Sequence, residues 1–345
     1  MIFNDFPGSA ECFELIARFC YNNGRVNITP SNIFLLHSAA YFMEMNEDIN
    51  GIPNLLHQTE TYLTWGIHYW TWSELILALK QCQFSLVALN SLRMLQQFLN
   101  FLVQRFTLPL VSSPCSSSSD NTSFQFSGDI SNESTINYYN PQTPFWFEDL
   151  AFLNIDMFDK VIKTMVSQKL NHVTICHFIF YYQKSRFVEA LPADKCKITK
   201  CVISLLWLLE RSSIACKGLF YNFRVAMALK IGKCCKVQLE GLIGSRLDQA
   251  TLDDLLVRAP RGRKYAYDVS LILGFLKVFI NDRDSQFSLY KLKKVGGLID
   301  LYLAEVAPDP RLKPSKFLAL AVALPDIARD SYDRMYQAID MYLEV

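Results

Sequence analysis

Residues 295–345 read VGGLIDLYLAEVAPDPRLKPSKFLALAVALPDIARDSYDRMYQAIDMYLEV, and the spacing of their apolar positions decides the fold class. Val295, Leu298, Ile299, Tyr302, Leu303 and Val306 follow the i, i+3, i+4, i+7 recurrence of one helix face. A strand would need alternation at period two. Pro308 and Pro310 end this helix, because proline cannot donate to the ladder and pushes the preceding residue out of the helical region. Lys313 and Pro314 open a second helix, with Phe317, Leu320, Ala321 and Leu324 as its predicted buried face and Pro325 as its stop. Tyr336, Ile339 and Leu343 predict the inward face of a third.

The same period recurs upstream. Phe158, Val161, Ile162 and Met165 form a stripe behind a predicted Asp156 cap, and Thr29 and Pro30 are expected to cap and open the helix in SNIFLLHSAAYFMEM. Between Thr107 and Pro144 the composition shifts to SSPCSSSSDNTS and then to Asn, Gln, Tyr and Pro. Such a stretch buries too little apolar surface to offset its ordering entropy, so it reads as a flexible linker. Only Ile2 to Phe6 has strand character. No repeat of fixed period is present, although helical hairpins of similar length can stack as a solenoid. The expected fold is all-α and multi-helix.

Composition bounds the function. With 51% hydrophobic and 19% charged residues, 345 residues make a globular chain of about two domains. A formal net charge of +1 argues against whole-protein attraction to nucleic acid or to an anionic membrane. The start MIFNDFPGSAECFELIARFC carries Asp5, Glu11 and Glu14 where a secretory signal would need a basic end and an apolar centre. No run approaches the roughly 18 apolar residues of a membrane span, so a soluble cytoplasmic protein is expected. The ten scattered cysteines then read as reduced thiols, and the N-x-[ST] matches at Asn27, Asn121 and Asn132 as chance.

Few residues suggest chemistry. His172, Cys176 and His177 are close in sequence, but a zinc site needs four ligands and no C-x-x-C pair completes one, so packing is the expected role. Adjacent Cys234 and Cys235 suit neither a strain-free disulfide nor a redox motif. Asp253 and Asp254 point to different sides of a helix, and Asp248 is expected at a helix N-cap or first turn. With no His or Lys partner nearby and no glycine-rich phosphate loop, neither catalysis nor a cofactor is expected. Arg258, Arg261, Arg263 and Lys264 form a basic loop with Pro260 and Gly262. It is a candidate contact for phosphate or an acidic partner, with a solvated loop as the default. The lysines at 291, 293 and 294 are dispersed around a helix. Arg329, Asp333 and Tyr336 fit a basic-x-x-x-acidic-x-x-Tyr phosphorylation pattern, against a buried aromatic as the preferred reading. Ser116, Ser117, Ser118 and Ser119 are easier kinase targets because of their composition.

The wording of several blocks adds a resemblance. FWFEDLAFLNIDMFDKVIKTM (Phe145 to Met165), LPADK (Leu191 to Lys195), VAMALKIGKCCKVQLEGLIGSRLDQATLDDLL (Val225 to Leu256) and the C-terminal segment resemble, in order, the helical domain of the plant non-phototropic-hypocotyl and root-phototropism family. FPGSAECFELIARFCYNNGRVNITPSNIFLLHSAAYFMEM resembles the last two helices of that family's BTB/POZ domain, so an N-terminally truncated BTB is expected. The implied organisation is a BTB remnant at 1–46, a helical extension at 47–106, the linker at 107–144 and the helical domain at 145–345. The resemblance implies a non-catalytic adaptor that joins a substrate or a photoreceptor kinase to a cullin-based ubiquitin ligase in plant light signalling. A scaffold for such kinases at the plasma membrane, without ligase attachment, is the alternative. It also implies a tyrosine at the place of Tyr336, and membrane association only through partners.

Overall fold

The structure is a computed structural model, and it describes residues 6–7, 10–45, 54–85, 92–106, 144–259, 266–282 and 288–344. Among these residues all regular structure is helical, apart from one isolated antiparallel bridge between Arg258 and Tyr267. The strand expected at Ile2 to Phe6 lies outside the described residues except for Phe6, and the expected linker lies outside them almost entirely. Two compact units emerge, one ending at Leu170 and one starting at Asn171.

The first unit is built round α2 (Ile33–Phe42), with α1 (Ala10–Tyr21), α3 (Leu55–Gly66) and α4 (Trp72–Ser85) packed on it. The reason is in its residues: IFLLHSAAYF carries no charge, so the helix can be covered on all sides rather than along one stripe. Ile33, Phe34, Leu36, Ala39 and Ala40 are wholly buried. The helix begins three residues after Pro30, not at it. Thr29 supplies no side-chain cap; its carbonyl accepts from the amides of Asn32 and Ile33 in a preceding turn. His37 is buried in this core, with Nδ1 2.9 Å from the Thr59 hydroxyl. That hydroxyl donates to the Leu56 carbonyl, so the imidazole donates to Thr59 through Nδ1.

α5 (Leu92–Arg105), the one-turn α6 (Trp146–Asp149) and α7 (Ile155–Ser167) complete the unit. Trp146 stacks on Phe106 with ring centroids 4.5 Å apart, and the Trp72 indole donates to the Asp149 carboxylate at 2.7 Å. Gln168 Nε2 donates to the Asn100 carbonyl at 2.9 Å, tying the end of α7 to α5. The helices that open the C-terminal sequence blocks therefore pack against helices that precede the long intervening stretch. Phe158, Val161, Ile162 and Met165 are buried as the stripe predicted. The cap is Asn154, whose side chain accepts from the Met157 amide, and Asp156 sits in the first turn.

The second unit contains α8 (His172–Phe187), α9 (Pro192–Leu206), α10 (Cys216–Ala228), α11 (Lys233–Ser245), the short α12 (Leu252–Leu255), α13 (Val269–Asn281), α14 (Leu289–Val306), α15 (Pro314–Ala321) and α16 (Asp333–Leu343). Contacts run mostly between neighbours: α8 with α9, α9 with α10 and α11, α11 with α13, and α14 with α15 and α16. This is the stacking order of a solenoid-like array. Close approach of α11 to α13 depends on Gly244, where a Cβ would lie 2.5 Å from that of Val278. One buried polar pair crosses the stack: Gln183 Nε2 donates to Asn222 Oδ1 at 2.8 Å, and the Asn222 amide donates to the Gly218 carbonyl.

Asp248 caps no helix but lies in the first turn of one, the buried 3-10 element Leu247–Gln249, and the cap of α12 is made by Thr251 and Asp254. One sequence expectation needs correction here. In α16 the inward face is Ala338 with half-buried Met335, Ile339 and Tyr342, so Tyr336 and Leu343 point out, at 60% and 75% exposure. The true stripe centres on Ala338, the best buried position, whose small side chain gives little apolar signal in sequence.

Burial lowers the pKa of His37 below its usual 6.5, with Glu60 opposing. The unfolded chain then binds the proton first, so stability falls as pH drops through the unfolded value. His37→Asn keeps a donor for Thr59 and should flatten the loss of unfolding free energy between about pH 7.5 and about pH 5.5, measured by urea titration.

Candidate docking surfaces

The C-terminal part of the second unit is organised by α14, whose buried stripe is Val295, Ile299, Tyr302, Leu303 and Val306. Gly296 lies in that stripe, and a Cβ there would sit 2.3 Å from the carbonyl oxygen of Ala328. The absent side chain lets the 3-10 turn Asp326–Ala328 pack onto the helix backbone. One residue further, Arg329 turns inward, and its Nε donates to Asp300 Oδ1 at 2.9 Å with both side chains under 7% exposed. Asp300 is one turn after Gly296, so the glycine sets the approach and the carboxylate holds it. Lys293 pairs with Asp330 at the surface, where an ion pair contributes little.

This anchoring presents α15 and α16 side by side. Phe317 and Tyr342 stack with centroids 4.3 Å apart, and the Tyr342 hydroxyl donates to the Leu312 carbonyl at 2.6 Å. Between the helices runs an open apolar groove of about 300 Å³, lined by Pro314, Phe317, Leu318, Ala321, Ile339 and Tyr342. Leu318 and Val322 stand exposed beside it. A second groove, of about 240 Å³, is lined from α13 by Leu273, Leu276, Lys277 and Ile280, with Ala323 opposite. Tyr336 is on the outer side of α16, its ring 6.4 Å from that of Tyr332.

A sequence model of the NPH3 family matches residues 144–345. The chain belongs to the NPH3 family. Among curated relatives, the BTB/POZ domain-containing protein At3g22104 of Arabidopsis thaliana is 43% identical over 348 residues, which cover all of this chain and 67% of that protein. At1g50280 and At3g44820, BTB/POZ domain-containing proteins of the same plant, are 33% and 28% identical; each match covers 99% of this chain, with 69% and 60% of the relative. No solved structure matches the chain.

Within the NPH3 region the remaining sequence candidates are scattered. Exposed Arg258 stands at the mouth of the basic loop; Arg261, Arg263 and Lys264 lie outside the described residues, as do Ser116, Ser117, Ser118 and Ser119. The loop's ends are pinched together, since the Ala259 amide donates to the Ala266 carbonyl and the Ala266 amide to Asp309 Oδ2 at 2.8 Å. His172 accepts the Glu210 amide through Nδ1 at 3.0 Å. Burial raises the Cys176 thiol to about 11, which keeps it protonated. Among the described residues no group of three His, Cys, Asp or Glu side chains is placed to hold a metal ion. No described helix is long and apolar enough to cross a membrane. What sequence reasoning missed is the Asp300–Arg329 pair, two residues separated by α15 and the proline-marked turns on either side of it; the only signal was a charge inside an otherwise apolar helix.

Two experiments probe this anchor by equilibrium unfolding. Gly296→Ala should cost about 1–3 kcal/mol by overpacking, while Gly297→Ala, which meets open space one residue on, should gain up to about 1 kcal/mol of helix propensity. Asp300→Asn leaves a buried guanidinium without its counter-charge and should cost about 3–5 kcal/mol, with Asp300→Leu plus Arg329→Met recovering most of it.

Proposed function

We propose that the chain is a non-catalytic, substrate-specific adaptor of a cullin-based ubiquitin ligase in plant signalling, such as light or phototropic responses. The observation that supports this is the NPH3 match over 144–345 together with full-span similarity to proteins named for a BTB/POZ domain. In this reading residues 1–46 are the end of a BTB/POZ fold and give the cullin contact, residues 47–106 extend it, and 145–345 recruit the substrate or a photoreceptor kinase. The transfer chemistry belongs to other subunits, and the protein acts in the cytoplasm. Paired helices with open apolar grooves suit docking of a partner helix through i, i+3, i+4 anchors.

Regulation by phosphorylation fits the same reading. The exposed ring of Tyr336 is open to a kinase that unwinds the first turns of α16 locally, and Ser116 to Ser119 are further targets. Arg258, with Arg261, Arg263 and Lys264, would meet an acidic or phosphorylated partner segment through charge-assisted hydrogen bonds.

Co-purification of the chain with a BTB-binding cullin tests the adaptor role. A stable complex is expected, and ubiquitin should transfer to a partner captured by the helical domain once the remaining ligase subunits are added. Failure to bind while the At3g22104 protein binds under the same conditions would refute ligase attachment by this chain.

A further inference from the structure

The near-neutral total conceals a strong local imbalance. Residues 184–236 carry eleven Lys and Arg against three Asp and Glu, a net +8 in a chain whose balance is +1. The fold gathers most of these cations at one end of the second unit. The α8–α9 and α10–α11 connections lie together there, because Cys196 in the first turn of α9 approaches the Leu229 carbonyl at the end of α10, with Sγ 3.7 Å from the oxygen. The first two turns of α9 supply Lys195 and Lys197, and Lys200 follows about a turn further along. The α10–α11 connection and the first turn of α11 supply Lys230, Lys233 and Lys236, Lys230 being held in the left-handed region at φ 53°. Lys184 and Arg186 come from the last turn of α8. Of the acids here, Asp194 pairs with Lys197 at 3.5 Å, an exposed contact that neutralises little, and Glu189 is exposed.

The apolar content of this end is as telling as its charge. Val188 and Leu191, in the α8–α9 connection, are 81% and 68% exposed among the cations. The two grooves described above are lined by residues from Leu273 onwards, so neither opens here. Seven of the eight gathered cations are lysines, which act as hydrated point charges rather than as bidentate readers of a single phosphate. Diffuse positive charge around a projecting apolar tip, on turns between helices, is complementary to a planar anionic surface with an apolar interior.

We propose that this end of the second unit docks directly on an anionic lipid surface, with its lysines over the headgroups and Val188 and Leu191 in the interface. The proposal goes beyond the adaptor reading and does not rest on it. Co-sedimentation of the full chain with vesicles of phosphatidylcholine, with and without about 30% phosphatidylserine, tests it. At about 0.1 M salt, binding to the anionic vesicles should exceed binding to the neutral ones at least tenfold, and about 0.5 M salt should release it. The triple variant Lys230→Glu, Lys233→Glu, Lys236→Glu should lose about tenfold or more, and Val188→Ser with Leu191→Ser about threefold. Lys217→Glu, Lys294→Glu, Arg334→Glu makes the same charge change at exposed positions away from this end and should bind as the parent does. Circular dichroism checks the fold of each, and the serine pair and the salt dependence remain decisive if a charge-reversed triple misfolds. No preference for anionic vesicles would overturn the proposal, as would equal loss in both triples. So would unchanged binding of the serine pair with full competition by polyglutamate, which would assign the surface to an acidic polypeptide.

Discussion

An ion pair sealed between a helix and a turn holds the C-terminal architecture in register. Asp300 and Arg329 are both almost wholly buried, and their attraction operates where water cannot screen it. Desolvating two charges is costly, so the pair adds less to net stability than its geometry suggests, and what it supplies is selection of one arrangement. Only one approach of the turn at Ala328 to α14 brings the guanidinium within reach, and Gly296 is the residue that permits it. α15 packs on the same helix and meets α16 through the Phe317–Tyr342 stack, so the groove between them depends on that one alignment.

Sequence spacing revealed the helices because burial of one face per helix imposes a period of 3.6, and Val295 to Val306 or Phe158 to Met165 can satisfy no other. It failed where the buried residue is small or where the partner is distant. Ala338 carries too little apolar weight to mark the inward face of α16, whereas the larger Tyr336 and Leu343 carry more and face outward. Caps were misplaced by two or more residues because several Asn, Asp and Thr side chains compete locally, and only the backbone conformation shows which of them accepts. The clustering of lysines from three helices was equally hidden, since a formal sum over the chain cancels charges that the fold separates.

For the adaptor role proposed above, this separation matters more than any single side chain. His37 is held by a hydrogen bond to Thr59, His172 lies under a backbone amide, and Cys176 is in the core. Apolar grooves lie towards the C-terminal helices and the lysine-rich end lies on α8 to α11, so contacts of two different chemistries need not compete for one surface.

The stacking of Trp146 on Phe106 and the Trp72–Asp149 bond join segments that are remote in the chain. A cross-link of this kind fixes where the two ends of the intervening span must lie, and ring contact and a charge-assisted bond offset the entropy of bringing them together.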